Sequence, residues 1–161
     1  MEIFMKEIKN KYEHYFLDDQ DRKQGEWKSW YADGQLMRHC FYRDDKKDGE
    51  YKRWHDNGQL EYHRFYKDDK CDGECKSWYE NGRMETHRFY RDNKLDGEYK
   101  YWFENGLLGT HKFYRDDKKD GESKSWNENG ELETHRFYKD DKDITKQWLK
   151  KKAIIKAWKT L

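Results

Sequence analysis

Residues 49–72 read GEYKRWHDNGQLEYHRFYKDDKCD, and this 24-residue pattern recurs five times along the 161-residue chain. Several residue types stand at the same position of every copy, among them Glu50, Lys52, Trp54, Gly58, His63 and Phe65. A biased composition without structure would not keep these residues in phase. The chain is therefore a repeat protein in which each copy is one supersecondary unit.

Each unit contains two short segments with β character, Glu50–His55 and Leu60–Tyr66 in the second copy. Asn-Gly or Asp-Gly lies between them, and these pairs accept the positive φ of a tight hairpin turn. A polar loop, Lys67–Asp72, leads to the next unit. The predicted fold is all-β: an elongated, single-layer antiparallel β-meander of repeated hairpins, with about 11 strands and short capping helices at one or both ends.

The length of the hairpin turn decides which side chains share a face. A two-residue turn at Asn57-Gly58 places His55 opposite Leu60. The faces then carry, respectively, Trp54, His63, Phe65, Glu50 and Lys52, and Tyr51, His55, Leu60 and Tyr66. One more residue in the turn would instead place Trp54 with Leu60 and Tyr66. The two-residue turn is the favoured reading.

The repeats define a central array with different segments at its ends. The array covers residues 12–142 and consists of a half unit, 12–24, and full units 25–48, 49–72, 73–96, 97–120 and 121–142. Residues 1–11 are predicted to form an N-terminal helical cap, because Phe4, Met5 and Ile8 fall on one side of a helix. Residues 143–161 are predicted to form a basic amphipathic helix capped by Asp143. Such end segments shield the last apolar surface of an array.

Composition limits the classes of function. Charged residues make up 43% of the chain, and the 35 basic and 34 acidic side chains leave a net charge of +1, so a nucleic-acid footprint is not expected. Aromatic residues reach 18%, which points to a thin aromatic core rather than disorder. Neither a secretion signal nor a membrane-spanning segment is expected. Three cysteines, an odd number, favour a reducing, cytoplasmic location.

The pattern D-G-E-x-K-x-W-x-x-N-G-x-L followed by F-Y resembles the variant MORN repeat, including the group often labelled YwqK-type antitoxins. K-S-W-Y-x-N-G-x-L with H-x-F-Y is also similar to MORN-repeat proteins of giant DNA viruses. The likeness covers roughly residues 12–142. It implies a rod-like sheet that acts as a scaffold, with an antitoxin-like inhibitor as a narrower role. A viral member would be found in the host cytoplasm or the virion.

Three motifs invite a metal-binding hypothesis, and each has a simpler reading. The recurring histidines (His39, His63, His87, His111 and His135) lie two strands apart, about 9.6 Å, which is too far for shared coordination of Zn²⁺. The loop Asp44–Gly49 lacks the ligand spacing of a calcium site. Cys71 and Cys75 have no second pair to complete a tetrahedral site. The simpler readings are packed histidines, solvated turns and reduced cysteines, so no cofactor is expected.

No catalytic motif is found in the sequence, and neither an enzymatic activity nor a small-molecule substrate is expected. A single-layer sheet cannot bury two aromatic faces, so one face either docks a partner or packs on a second array. The candidate columns, which either take this role or serve only as the core of the sheet, are Trp30, Trp54, Trp78, Trp102 and Trp126, and Phe41, Phe65, Phe89, Phe113 and Phe137. The partner would be a protein or a second copy of the chain.

The C-terminal helix allows two interpretations. Residues 143–161 contain six lysines and one aspartate, a net charge of +5. The segment is either a cap whose lysines remain in water or an element that binds an anionic membrane surface. The candidate contacts with such a surface are Lys150, Lys151, Lys152, Lys156 and Lys159.

Overall fold

The computed structural model describes residues 5–158, with the side chains of residues 5–153. These residues form one antiparallel sheet of thirteen strands in sequence order, followed by one helix. The elements are β1 Lys6–Lys9, β2 Glu13–Leu17, β3 Lys23–Trp30, β4 Leu36–Arg43, β5 Lys46–Trp54, β6 Leu60–Lys67, β7 Lys70–Trp78, β8 Met84–Arg91, β9 Lys94–Trp102, β10 Leu108–Arg115, β11 Lys118–Trp126, β12 Leu132–Lys139, β13 Lys142–Asp143 and α1 Thr145–Trp158. The predicted open meander of hairpins is confirmed, with thirteen strands instead of about 11 because β1 and β13 extend it at its two ends.

The N-terminus differs from the prediction, since the described part of residues 1–11 is a strand and not a helix. Lys6–Lys9 form β1 and pair antiparallel with β2, with Lys9 opposite His14. Backbone pairing with β2 satisfies more N–H and C=O groups than a short isolated helix could, and helices this short are marginal in water. Phe4, part of the predicted apolar side, lies outside the described residues.

The turn within each unit is one residue longer than the favoured reading. The carbonyl of His55 accepts the N–H of Gly58 at 3.0 Å, and the N–H of His55 donates to the carbonyl of Gln59 at 2.8 Å. Gly58 has φ of +80°, whereas the residues before it keep negative φ. This is a type I turn followed by a glycine in the left-handed region, the common longer hairpin loop. The two-residue turn at Asn57-Gly58 is therefore wrong.

A β-bulge nevertheless preserves the predicted grouping on one face. Trp54 lies opposite Leu60, but Arg53 lies opposite Tyr62, so Glu61 is an extra residue. Glu61 points to the same side as Arg53, and its carboxylate lies 3.0 Å from Nε of Arg53. Residues beyond the bulge return to the expected phase. Trp54, His63 and Phe65 share a face as predicted, while the assignment of Leu60 to the other face is wrong.

The two-residue turn occurs between units instead. Lys67 pairs with Lys70, so Asp68 and Asp69 alone form the loop. Their φ values are +48° and +64°, which define a type I′ turn. The predicted polar loop over Lys67–Asp72 is thus shorter than expected, because Lys70–Asp72 already belong to β7.

Hydrogen bonds between successive turns explain why aspartate, rather than glycine, occupies this strained position. The N–H of Lys47 donates to Oδ1 of Asp69 at 2.8 Å, and the N–H of Asp69 donates to the carbonyl of Lys47 at 2.9 Å. The same pair of bonds joins Leu95 to Asp117 and Lys119 to Asp141. Each turn is therefore anchored to the turn of the preceding unit, which offsets the cost of positive φ at a residue other than glycine.

A second bulge lies within the first strand of each hairpin, at Gly97 in β9, and requires a glycine. Gly97 has φ of +130°, and a Cβ added there would lie 3.1 Å from Cβ of Phe89.

We expect Gly97→Ala to lower the free energy of unfolding by about 2–3 kcal/mol, because strain and crowding combine. Gly25→Ala is the control, since Gly25 has φ of +68° and open space around it. That change should cost only about 1–2 kcal/mol. Urea denaturation compares the two, and equal losses would contradict the crowding.

Most of the buried side chains lie on one face of the sheet. These are Trp27, Cys40, Ser29, Cys75, Ser77, Thr86 and Ser123. Long side chains also contact each other on this face, as where Nζ of Lys47 lies 5.2 Å from the ring of Tyr66. Apart from Trp27, the core is thin and consists of small residues. Among the described residues, no helix has the length and apolar character to cross a membrane.

Candidate interaction face

The face opposite the buried residues carries the invariant columns, and we call it the repeated face. It consists of one Glu, Lys, Trp, His and Phe from each unit, which are Glu50, Lys52, Trp54, His63 and Phe65 in the second copy. Glu50 lies opposite Phe65 and Lys52 opposite His63. Cross-strand partners point to the same side of a sheet. The candidate Trp and Phe columns therefore share this face in every unit.

The charged groups of the repeated face are paired within each unit. In the third unit, Nε2 of His87 and Nζ of Lys76 each lie 2.8 Å from the carboxylate of Glu74. The same arrangement surrounds Glu98 and Glu122. His39 and His63 approach their glutamates equally closely, but without hydrogen-bond geometry. Each of these histidines therefore contacts the carboxylate of its own unit.

This pairing lowers the pKa values of the column glutamates. A hydrogen bond from Lys76 lowers the pKa of Glu74, and the contact with His87 acts in the same direction, while burial opposes both. The pKa values of Glu26, Glu50, Glu98 and Glu122 are lowered by the equivalent lysines. The whole column is therefore ionised at neutral pH.

Acid should destabilise the array through this column. A carboxyl whose pKa is lower in the folded state stabilises the fold above its unfolded pKa, about 4.3, and that stabilisation is lost as pH falls through the folded value. The unchanged array should therefore lose unfolding free energy between about pH 5 and about pH 3. In Glu74→Gln this loss should be smaller by roughly 0.5 kcal/mol. Urea titrations at both pH values measure it. Glu80→Gln, in an exposed turn, is the control, and an unchanged acid response in Glu74→Gln would contradict the pairing.

The aromatic columns are only half covered. Each column phenylalanine packs at a tilt against the histidine two residues before it, with centroids 4.9 Å apart for His87 and Phe89. The Trp column and most of the Phe column remain half-buried, and Phe65 is 36% exposed. Among the described residues, Phe137 is the one member of these columns that is buried, with 9% exposure.

The C-terminal helix covers Phe137. The ring of Trp148 stacks on Phe137 with centroids 3.7 Å apart and planes 11° apart. Oγ1 of Thr145 accepts a hydrogen bond from the N–H of Phe137 at 3.0 Å, and the N–H of Ile144 donates to the carbonyl of Phe137 at 2.8 Å. Asp143, predicted as a cap, accepts the N–H of Thr145 at 2.9 Å. The first turn of α1 therefore closes the end of the array, as a cap does.

The candidate anionic-surface contacts lie beyond this first turn. Lys150, Lys151 and Lys152 are exposed, and Nζ of Lys152 lies 4.7 Å from the Trp148 ring centroid. Lys156 and Lys159 lie outside the side chains that the structure describes. The docked helix therefore presents three consecutive lysines to solvent.

The half unit at residues 12–24 was predicted, but its partner strand β1 was missed in the sequence. β1 and β2 form a shortened unit in which Glu7, Lys9, His14 and Phe16 take the column positions. Nε2 of His14 lies 2.8 Å from Glu7, and the His14 and Phe16 centroids are 5.2 Å apart. Glu-x-Lys before His-x-Phe is the signal that could have shown it, although the spacing is six residues shorter than in the full units.

The metal-binding motifs take other roles. Among residues 5–158, no three His, Cys, Asp or Glu side chains are grouped as metal ligands would be. The aspartates between units hold neighbouring turns together, as Asp69 does with Lys47. All three cysteines are free thiols.

A family comparison agrees with this architecture. The model of the MORN repeat variant matches residues 23–44, 47–68, 72–92 and 119–140. The chain belongs to the MORN repeat variant family. Residues 93–118 lie between two matched segments and include β9 and β10. These strands form the same MORN hairpin, although Gly109 stands where Glu61 forms the bulge in the second copy. MORN repeats form scaffolds and are generally non-catalytic. No curated protein matches the chain.

Proposed function

We propose that this MORN repeat protein is a non-catalytic scaffold that binds a protein partner through its repeated face. The observation that carries the proposal is the contrast within the Phe column. Phe65 is 36% exposed, whereas Phe137 is reduced to 9% by an aromatic side chain of a helix. The partner would place a helix with an aromatic residue on the central units, as α1 does at the end.

The charges of the repeated face favour apolar recognition. Every column glutamate is paired with a lysine and a histidine of its own unit, as Glu74 is with Lys76 and His87. The charges of this surface are therefore already paired within the protein. The half-exposed aromatic side chains are the area that a partner would cover. Aromatic residues are enriched in the centres of protein interfaces, where charged residues are depleted.

The opposite face is a weaker candidate. Its residues differ between units, as where Tyr51, Cys75 and Ser123 occupy one equivalent position. Its small side chains are already buried by their neighbours. A surface that is repeated in each unit offers a partner several equivalent contacts at once, and linked contacts strengthen binding by raising the effective concentration.

Cross-linking in a lysate, followed by mass spectrometry, tests the proposal with the intact chain. The lysines of the repeated face, Lys52, Lys76 and Lys100, and those of the opposite face, Lys47 and Lys112, report separately on the two faces. We expect partner cross-links at the first set and their loss in the variant Phe65→Ala/Phe89→Ala. Binding that depends on an aromatic anchor should weaken by about tenfold or more for each anchor removed.

The control removes apolar area away from this face. Leu107 is 43% exposed in the turn between β9 and β10, so Leu107→Ala should retain the partner. Thermal melting verifies that each variant is folded. Cross-links confined to Lys47 and Lys112, or retained in the double Phe variant, would contradict recognition by the repeated face.

A second candidate function follows from the exposed lysines of α1. Lys150, Lys151 and Lys152 lie next to Leu149, which is 54% exposed, and a basic segment with apolar neighbours binds anionic lipid surfaces. Co-sedimentation with phosphatidylserine-containing vesicles tests this, and Lys150→Glu/Lys151→Glu should abolish it. Each lysine near such a surface contributes about 1 kcal/mol. Equal sedimentation of both proteins would contradict this candidate and leave the repeated face unaffected.

A further inference from the structure

Strand β7 departs from the repeat at two positions that touch each other. Cys71 and Cys75 stand where β5 has Lys47 and Tyr51. In β5, Nζ of Lys47 lies 5.5 Å from the Tyr51 ring centroid, and β3 has the same contact between Lys23 and Trp27 at 5.9 Å. Two neighbouring positions therefore change together, from a cation and an aromatic ring to a pair of thiols.

The bulge in β7 around Gly73 brings the two cysteines together. Residues four apart on a regular strand would be separated by about 13 Å. Here Cys71 lies opposite Tyr66 and Cys75 opposite Arg64, because Asp72, Gly73 and Glu74 bulge between them. The two Sγ atoms are 2.8 Å apart, compared with about 2.0 Å in a disulfide. Disulfide formation therefore needs only a small displacement.

The surroundings activate one of the two sulfurs. The pair lines a cavity with Arg64, Arg88, Tyr66, Tyr90 and Asn93. A hydrogen bond from the Cys71 thiol lowers the pKa of Cys75, the two guanidinium groups act in the same direction, and burial opposes them. The same hydrogen bond and burial raise the pKa of Cys71. Cys75 is thus the more acidic thiol of the pair and Cys71 its hydrogen-bond donor, and a thiolate is the nucleophilic form of cysteine.

We propose that Cys71 and Cys75 are a reactive dithiol that hydrogen peroxide converts to an intrachain disulfide. The Cys75 thiolate attacks one peroxide oxygen, the O–O bond breaks, and the released hydroxide takes a proton to become water. Sγ of Cys71, having lost its proton, then attacks the Cys75 sulfenic acid, forms the S–S bond and releases hydroxide, which becomes the second water. Two thiols are oxidised by two electrons and the peroxide is reduced by two, so the step is balanced.

Cys40 provides an internal reference. It is 1% exposed, and burial raises its pKa to about 11. It lies on β4, opposite Trp27 and Tyr51 rather than beside another cysteine. Cys75 is also buried, at 4% exposure, so the raised pKa of Cys40 and its lack of a neighbouring sulfur make the difference. A thiol with a raised pKa reacts slowly, so Cys40 should remain reduced while the pair reacts.

Hydrogen peroxide added to the intact, reduced chain tests the proposal. Thiol titration after denaturation should fall from three thiols to one, the mass should fall by two hydrogens, and dithiothreitol should reverse both. The pair should react at least about tenfold faster than Cys40. Cys40→Ser should retain the full response. Cys71→Ser should instead accumulate a sulfenic acid at Cys75, detected with dimedone.

A matched variant controls for the fold. Cys71→Lys/Cys75→Tyr restores the residues found at the equivalent positions of β5, so it should fold and lose the peroxide response. Uniform oxidation of all three cysteines, disulfide-linked dimers, or three thiols remaining after treatment would each overturn the proposal. None of these outcomes depends on the partner or on the repeated face.

Discussion

Deletion of residues 85–96 is expected to abolish the single cooperative unfolding transition of the array. The change removes β8 apart from Met84, the turn that follows it and the first three residues of β9, so the sheet of thirteen strands loses one strand and every downstream strand reverses its direction. Every downstream Asp-Asp turn then moves to the edge of the sheet that carries the Asn-Gly turns upstream. The bonds between Leu95 and Asp117, and between Cys71 and Asn93, cannot form across the junction. The columns of the repeated face are interrupted at the same place.

Deletion of the 24 residues 73–96 is the matched comparison. It removes one complete unit in register and joins Asp72 to Gly97, so the spliced strand keeps the Asp-Gly-Glu pattern. Units in such an array contact mainly their neighbours, and stability is approximately a sum of unit and interface terms. This variant should remain folded, with a melting temperature about 5 °C lower. Circular dichroism during thermal melting compares the two variants. Similar unfolding of both would contradict the stacked-unit architecture.

Trp78→Ala is expected to lower the free energy of unfolding by about 2–3 kcal/mol. Trp78 is half-buried and lies opposite Met84 at the end of its hairpin. Its carbonyl lies 3.1 Å from Nε2 of His55 in the preceding unit, so loosening this corner also weakens the contact between units. A fully buried tryptophan would cost about 3–5 kcal/mol, and the half-exposed position explains the smaller value.

His87→Gln in the same unit is the control and should cost about 1 kcal/mol. His87 loses its contact with Glu74 at 2.8 Å, but Lys76 continues to pair with that carboxylate. Urea denaturation of both variants measures the difference. If Trp78→Ala left stability unchanged and only abolished partner cross-linking, the Trp column would serve recognition alone. If His87→Gln were the more damaging change, the histidines would be the structural centre of the unit.

The sequence alone determined the fold class and the main composition of the repeated face. Five copies in phase fix the five full hairpins, β3 to β12, whereas β1 and β13 bring the sheet to thirteen strands instead of the predicted eleven or so. Alternation along a strand also fixes which residues of one strand share a face, as Glu50, Lys52 and Trp54 do. Those assignments hold in the structure because the bulge at Glu61 adds one residue and the longer turn adds another. Two irregularities that cancel leave the pattern of the faces intact.

Only the tertiary structure decided the turns, the N-terminal strand and the meeting of Cys71 with Cys75. An isolated Asp-Asp turn with positive φ at both residues is unfavourable, and Asp69 adopts it because stacking supplies Lys47 as a partner. Lys6–Lys9 form a strand because β2 offers an open edge. Cys71 and Cys75 meet because the bulge at Gly73 is fixed by pairing with β6 on one side and β8 on the other. Local alternatives differ by only about 1–2 kcal/mol, so the contacts between units determine which one forms.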